Sequence, residues 1–115
     1  HLLKAITMDG KLGTVSISHS AIEDYVEKVG IRLKDVKDIK AKVKCKRDGI
    51  YVFCKIAISA GSSIPMLADR IGEEVKNAAE AIFGIFGIKE VKIFVDKIIT
   101  EQAKEDDVQP GRRYY

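Results

Sequence analysis

The chain has 115 residues, 46% of them hydrophobic and 32% charged, with 20 basic and 17 acidic side chains and a net charge of +3. That length suits one domain with its own core, and the composition is that of an ordinary globular protein rather than a disordered or fibrous one. The charge is too mild to point to nucleic acid by itself, two cysteines are too few for a disulfide framework, and no apolar run is long enough to span a bilayer.

In chain order, Ala5 to Met8 can form a short strand. Asp9-Gly10 and Gly13 mark a turn. Thr14 to Ser18 alternates, which predicts a strand with Val15 and Ile17 inward. Ser20 and Glu23 then have the spacing of a capping box, in which the hydroxyl accepts from an orphan N–H and the glutamate reaches back. Ile22, Val26, Val29 and Leu33 recur at helical spacing, so a helix is expected over residues 21–34, weakened by Gly30.

The stretch from Val36 to Ile58 carries the strongest signal. Ile39, Ala41, Val43 and Cys45 alternate with Lys40, Lys42, Lys44 and Lys46, the period of a half-buried strand. Asp48-Gly49 is a hairpin turn signal, because glycine adopts positive φ without steric cost. The return arm sets Ile50, Val52, Cys54, Ile56 and Ile58 against Tyr51, Phe53, Lys55 and Ala57. With Asp48 and Gly49 as loop residues, Val43 faces Cys54 and Cys45 faces Val52, so both apolar sets share one face. Both cysteines are then expected in the core, free and buried.

Gly61 to Ser63 reads as a loop, and Pro65 suits a first helical turn. Ile64, Leu67, Ile71, Val75, Ala78 or Ala79, and Ile82 form one stripe, so a second helix is expected over residues 65–83, stopped by Gly84 or Gly87. A last strand puts Val91, Ile93 and Val95 inward and Lys92, Phe94 and Asp96 outward. Beyond Ile99 the chain is polar and aperiodic. Residues 1–99 are therefore expected to be one domain and residues 100–115 a disordered tail. The order β-α-β-β-α-β predicts an α+β two-layer sandwich, mainly antiparallel, with two helices on one sheet face, in a ferredoxin-like or related split arrangement.

The residues offer little chemistry. His19 could meet Ser18 or Ser20, but a Ser–His pair needs a third group to orient the imidazole, and both serines suit capping roles. Two cysteines and one internal histidine do not make a zinc site. The expectation is no catalysis, no metal and no cofactor. The outer sheet face is more informative. Lys42, Lys44, Tyr51, Phe53, Lys55 and Phe94 lie on it, with Lys40, Lys46 and Lys92. Lysines beside aromatics on a sheet also occur in RNA-recognition modules, which stack bases on such rings. Here, however, RDGIYVFCKI matches their motif poorly, and Thr14 and Ser16 stand where those modules carry an aromatic. A small RNA-binding domain is the alternative reading; a self-associating face is the preferred one.

The ordered set LGTVSISHSAIEDYV, VKDIKAKVK, SSIPMLADRIGEEVK and IKEVKIFVDKI resembles the alkaline shock protein family, over about residues 12–99. The first of these stretches is most similar to the branch of alkaline shock response membrane anchor proteins. The extra glycine in FGIFGIKEV and the lone Gly30 depart from the family pattern. The resemblance implies a non-enzymatic cell-envelope stress-response domain. It would assemble with itself or with related alkaline shock proteins on the cytoplasmic side, and reach the membrane only through an anchor outside this chain.

Overall fold

The computed structural model describes residues 4–100. The expected tail, Thr100 apart, lies outside the described residues. The elements are β1 (Ala5–Asp9), β2 (Thr14–Ser18), α1 (His19–Ile31), β3 (Val36–Lys46), β4 (Gly49–Ser59), α2 (Ile64–Ala78) and β5 (Ile88–Ile99). β3, β4 and β5 form a three-stranded sheet in that order, and β1 and β2 form a separate two-stranded sheet. Both helices pack on one face of the larger sheet, which makes the α+β sandwich that the alternation of elements predicts. β3 and β4 are antiparallel, whereas β4 and β5 are parallel, joined through α2. Because β2 pairs with β1 and not with the larger sheet, the ferredoxin-like strand order is not adopted.

The core follows the two periods. Ile39, Ala41 and Val43 of β3 and Val52, Cys54, Ile56 and Ile58 of β4 are buried, facing Ile22, Val26 and Val29 of α1 and Ile71 and Val75 of α2. Burying each of the larger side chains contributes about 1.5–3 kcal/mol, which makes this layer the main source of stability. Gly30 has a packing reason. A Cβ there would lie 2.5 Å from Ile39 Cδ1, so any larger residue would force the tip of that buried side chain to move, and glycine lets α1 approach β3 without it.

The hairpin register differs from the expected one by two residues. Val43 pairs with Val52, Cys45 with Ile50 and Lys46 with Gly49, so the loop residues are Arg47 and Asp48. Gly49, at φ 144°, opens the return strand instead of closing the loop. An even shift leaves every side chain on its predicted face, which is why the alternation alone could not resolve it. Cys54 is buried as expected, but Cys45 is exposed. Cys45 does point to the apolar side; it lies level with His19, the first residue of α1, where no further helix turn covers it. Val15, expected inward, is 52% exposed, because the β1–β2 hairpin stands apart from the main sheet.

Helix α1 starts two residues earlier than expected. Ser18, not Ser20, is the N-cap, and its Oγ accepts from the Ala21 N–H at 3.0 Å. Helix α2 is capped by Ser63 with Pro65 in its first turn. It ends in a π-helical turn, Ala79–Phe83, followed by Gly84 in the left-handed region at φ 68°. The wide turn advances the apolar stripe by one residue. Phe83 therefore packs edge-on against Tyr25, ring centroids 5.6 Å apart, while Ile82 is 56% exposed.

Candidate functional site

The open face of the three-stranded sheet brings the predicted residues together in rows. Lys44 of β3, Tyr51 of β4 and Glu90 of β5 form one row. Lys42, Phe53 and Lys92 form the next, and Lys40, Lys55 and Phe94 the third. Period-two alternation puts these side chains on the face opposite the helices. Tyr51 and Phe53 are half-buried, and their rings stack at 6.5 Å between centroids. Phe94 lies diagonal to Phe53 and is 62% exposed. Phe53, Lys55 and Phe94 help to line a depression of about 780 Å³.

Two of the lysines reach over the aromatic rings. Lys46 Nζ sits 4.5 Å from the Tyr51 ring centroid, and Lys92 Nζ sits 5.6 Å from that of Phe53. Such cation–π contacts are worth about 0.5–1 kcal/mol at an exposed site. They hold ammonium groups over rings that a stacked base would need to occupy. The Tyr51 hydroxyl donates to Asp48 Oδ2 at 2.7 Å. That hydrogen bond raises the Tyr51 phenol above its ordinary value and lowers the Asp48 carboxyl below its own.

The two edges of this sheet differ. At β3, Glu27 Oε2 accepts from the Ala41 N–H and Glu23 Oε2 from the Val43 N–H, each at 2.8 Å. Four residues of helix advance about as far as two residues of strand, so glutamates one turn apart on α1 meet successive outward N–H groups of β3. Glu23 thus serves the strand edge and not the capping box expected of it. His19, one turn before Glu23, falls opposite Cys45, with Nε2 at 3.6 Å from Sγ. At β5, by contrast, no hydrogen bond among the described residues reaches the outer edge.

The Ser–His idea does not assemble. Ser18 Oγ is engaged in capping, and the ring nitrogen facing away from Cys45, Nδ1 of His19, is buried without an orienting partner among the described residues. Among the described residues no three His, Cys, Asp or Glu side chains converge on a metal position. No helix of the described chain is long and apolar enough to cross a membrane.

No protein-family model matches this chain, and no curated protein matches it. Among solved structures it is similar to variants of MamM CTD. One has 15% identity and a TM-score of 0.46, over 68% of this chain and 93% of that one. A second has 15% identity and a TM-score of 0.47, over 68% and 90%. A manganese form has 16% identity and a TM-score of 0.46, over 68% and 96%. Likeness this distant says nothing about what the present chain binds.

Proposed function

We propose that this chain is a non-enzymatic interaction domain that assembles with copies of itself. The observation that carries the reading is the aromatic cluster of half-buried Tyr51 and Phe53 with Phe94, itself 62% exposed, on a sheet face that no helix of the described residues covers. Contiguous exposed apolar surface marks contact sites, and aromatics are the usual energetic centres of interfaces. The resemblance of residues 12–99 to alkaline shock proteins supplies the biological role: a cell-envelope stress-response or membrane-anchor domain at the inner face of the cell membrane, working with itself or its relatives. Base stacking is the weaker reading. The strand carrying Thr14 and Ser16 is not in this sheet at all, and lysines already occupy the ring faces.

Sedimentation of the wild type and of Phe94→Glu, from low to high micromolar protein, tests the proposal. The wild type should gain mass with concentration and the variant should lag behind it. A wild type that stays monomeric throughout would overturn the reading. A parallel titration with mixed single-stranded RNA at low salt should show no micromolar binding.

A further inference from the structure

We infer that the second copy joins along the outer edge of β5, antiparallel about a two-fold axis at Phe94, to make one continuous six-stranded sheet. This rests on the self-association reading and specifies its geometry. The first support is the contrast between the edges. An unpaired edge presents a row of N–H and C=O groups to any other strand. β3 is closed to such pairing because Glu23 and Glu27 occupy its outward N–H groups at Ala41 and Val43. The middle of β3 is thus obstructed, and growth of the sheet is favoured at β5, whose outer edge has no partner among the described residues. Stacking two open faces on each other is disfavoured for a separate reason: Lys40, Lys42, Lys44, Lys46, Lys55 and Lys92 would be brought against their own copies. Edge pairing keeps those lysines in water.

The register follows from the sequence of β5. Against β4 its regular run is Glu90–Val95, with irregularities at Lys89 and Asp96, and the candidate axes fall on residues of that run. An axis on any residue of the run keeps the helix-covered faces of both copies on the same side, and Val91, Lys92, Ile93 and Phe94 are its four inner centres. An axis at Lys92 sets two lysines opposite each other. An axis at Ile93 sets Glu90 opposite Asp96, again like charges. An axis at Val91 pairs Glu90 with Lys92 but puts the exposed Lys89 beside Ile93. An axis at Phe94 pairs Lys92 with Asp96 twice, Ile93 with Val95 twice on the helix side, and Phe94 with its own copy on the open side. This register sets no like charges opposite each other and brings the exposed Phe94 rings together; like the Val91 register, it leaves one lysine, Lys97, opposite an apolar residue, Val91. It also covers the ring that is 62% exposed in one copy.

The test is a charge exchange with the full chain, read by sedimentation. Lys92→Asp alone and Asp96→Lys alone each place like charges opposite each other twice per dimer and should weaken association about tenfold or more. Lys92→Asp combined with Asp96→Lys should restore it. Should a charge variant fold poorly, Phe94→Cys in a Cys45→Ser background gives a second readout. Under mild oxidation it should form a symmetric disulfide, whereas Lys44→Cys, on the other edge strand, should not. Dimers that form without rescue and without cross-linking at Phe94 would overturn this geometry and leave self-association standing. A monomeric wild type, whether its β5 edge is bare or covered by residues 101–115, would overturn both.

Discussion

The closure of the β3 edge by Glu23 and Glu27 can be measured directly. Each carboxylate accepts one main-chain N–H at 2.8 Å from a half-buried position. A hydrogen bond to a charged group contributes about 1.5–3 kcal/mol net, and the abandoned N–H adds to the loss if it stays shielded from water. Alanine recovers a few tenths of a kcal/mol as the better helix former. Glu27→Ala or Glu23→Ala should therefore cost about 1–2.5 kcal/mol, and the pair about 2–5 kcal/mol as the sum of the two, any departure from that sum measuring their coupling. For a domain of this size that is a fall in Tm of about 10 °C or more. Glu→Gln retains an acceptor oxygen and should cost less than Glu→Ala at both positions. Urea denaturation gives the free energies, and native-state hydrogen exchange gives the location: the Ala41 and Val43 amides should lose protection before their neighbours. Asp24→Ala is the control, an exposed acidic residue on the same helix. If the double alanine variant loses no more than Asp24→Ala, or if the Ala41 and Val43 amides remain protected, the carboxylates do not hold the edge.

Two further outcomes follow from the core. Gly30→Ala should destabilise by about 1–2 kcal/mol, overpacking against Ile39 Cδ1 outweighing the gain in helix propensity. Ile39→Val removes that methyl and should relieve most of the cost in a double-mutant cycle; additive costs would mean that the close approach is not the reason for the glycine. Burial pushes the Cys54 thiol from 9.0 up to about 11. The neutral thiol is thus favoured in the folded state, and its stabilising contribution is complete below the lower value and lost as pH rises to the higher. The stability difference between wild type and Cys54→Ala should shrink by about 3 kcal/mol across that window in pH-dependent denaturation. A difference that stays constant would contradict the burial argument. At neutral pH a thiol reagent should modify exposed Cys45 quickly and Cys54 only on unfolding.

The two faces of the sheet were legible in the sequence because period two is indifferent to what lies beyond the strand. Lys42, Lys44, Tyr51, Phe53, Lys55 and Phe94 could be assigned to one surface without knowing strand order. The helices were legible for the same reason at period 3.6. What was hidden depends on partners distant in the chain. Nothing in β4 or β5 says that they run parallel; that follows from α2 crossing between them. Glu23 matches a capping box locally, and only the position of β3 reveals a better use for it. Cys45 alternates like a core residue, but alternation does not record where the covering helix begins. The shift from Ile82 to Phe83 comes from one wide turn that keeps the composition of an ordinary helix. In each case a local pattern fixed direction, and tertiary context decided contact.

The central claim is that copies of this chain assemble with one another, and native mass spectrometry of a mixture tests it most directly. Isotopically labelled and unlabelled chains would be combined at high micromolar concentration, equilibrated and sprayed from a volatile buffer. The account predicts a species of mixed label at twice the chain mass, present for the wild type and depleted for Phe94→Glu. Masses of single chains alone, at every concentration and for both proteins, would contradict it.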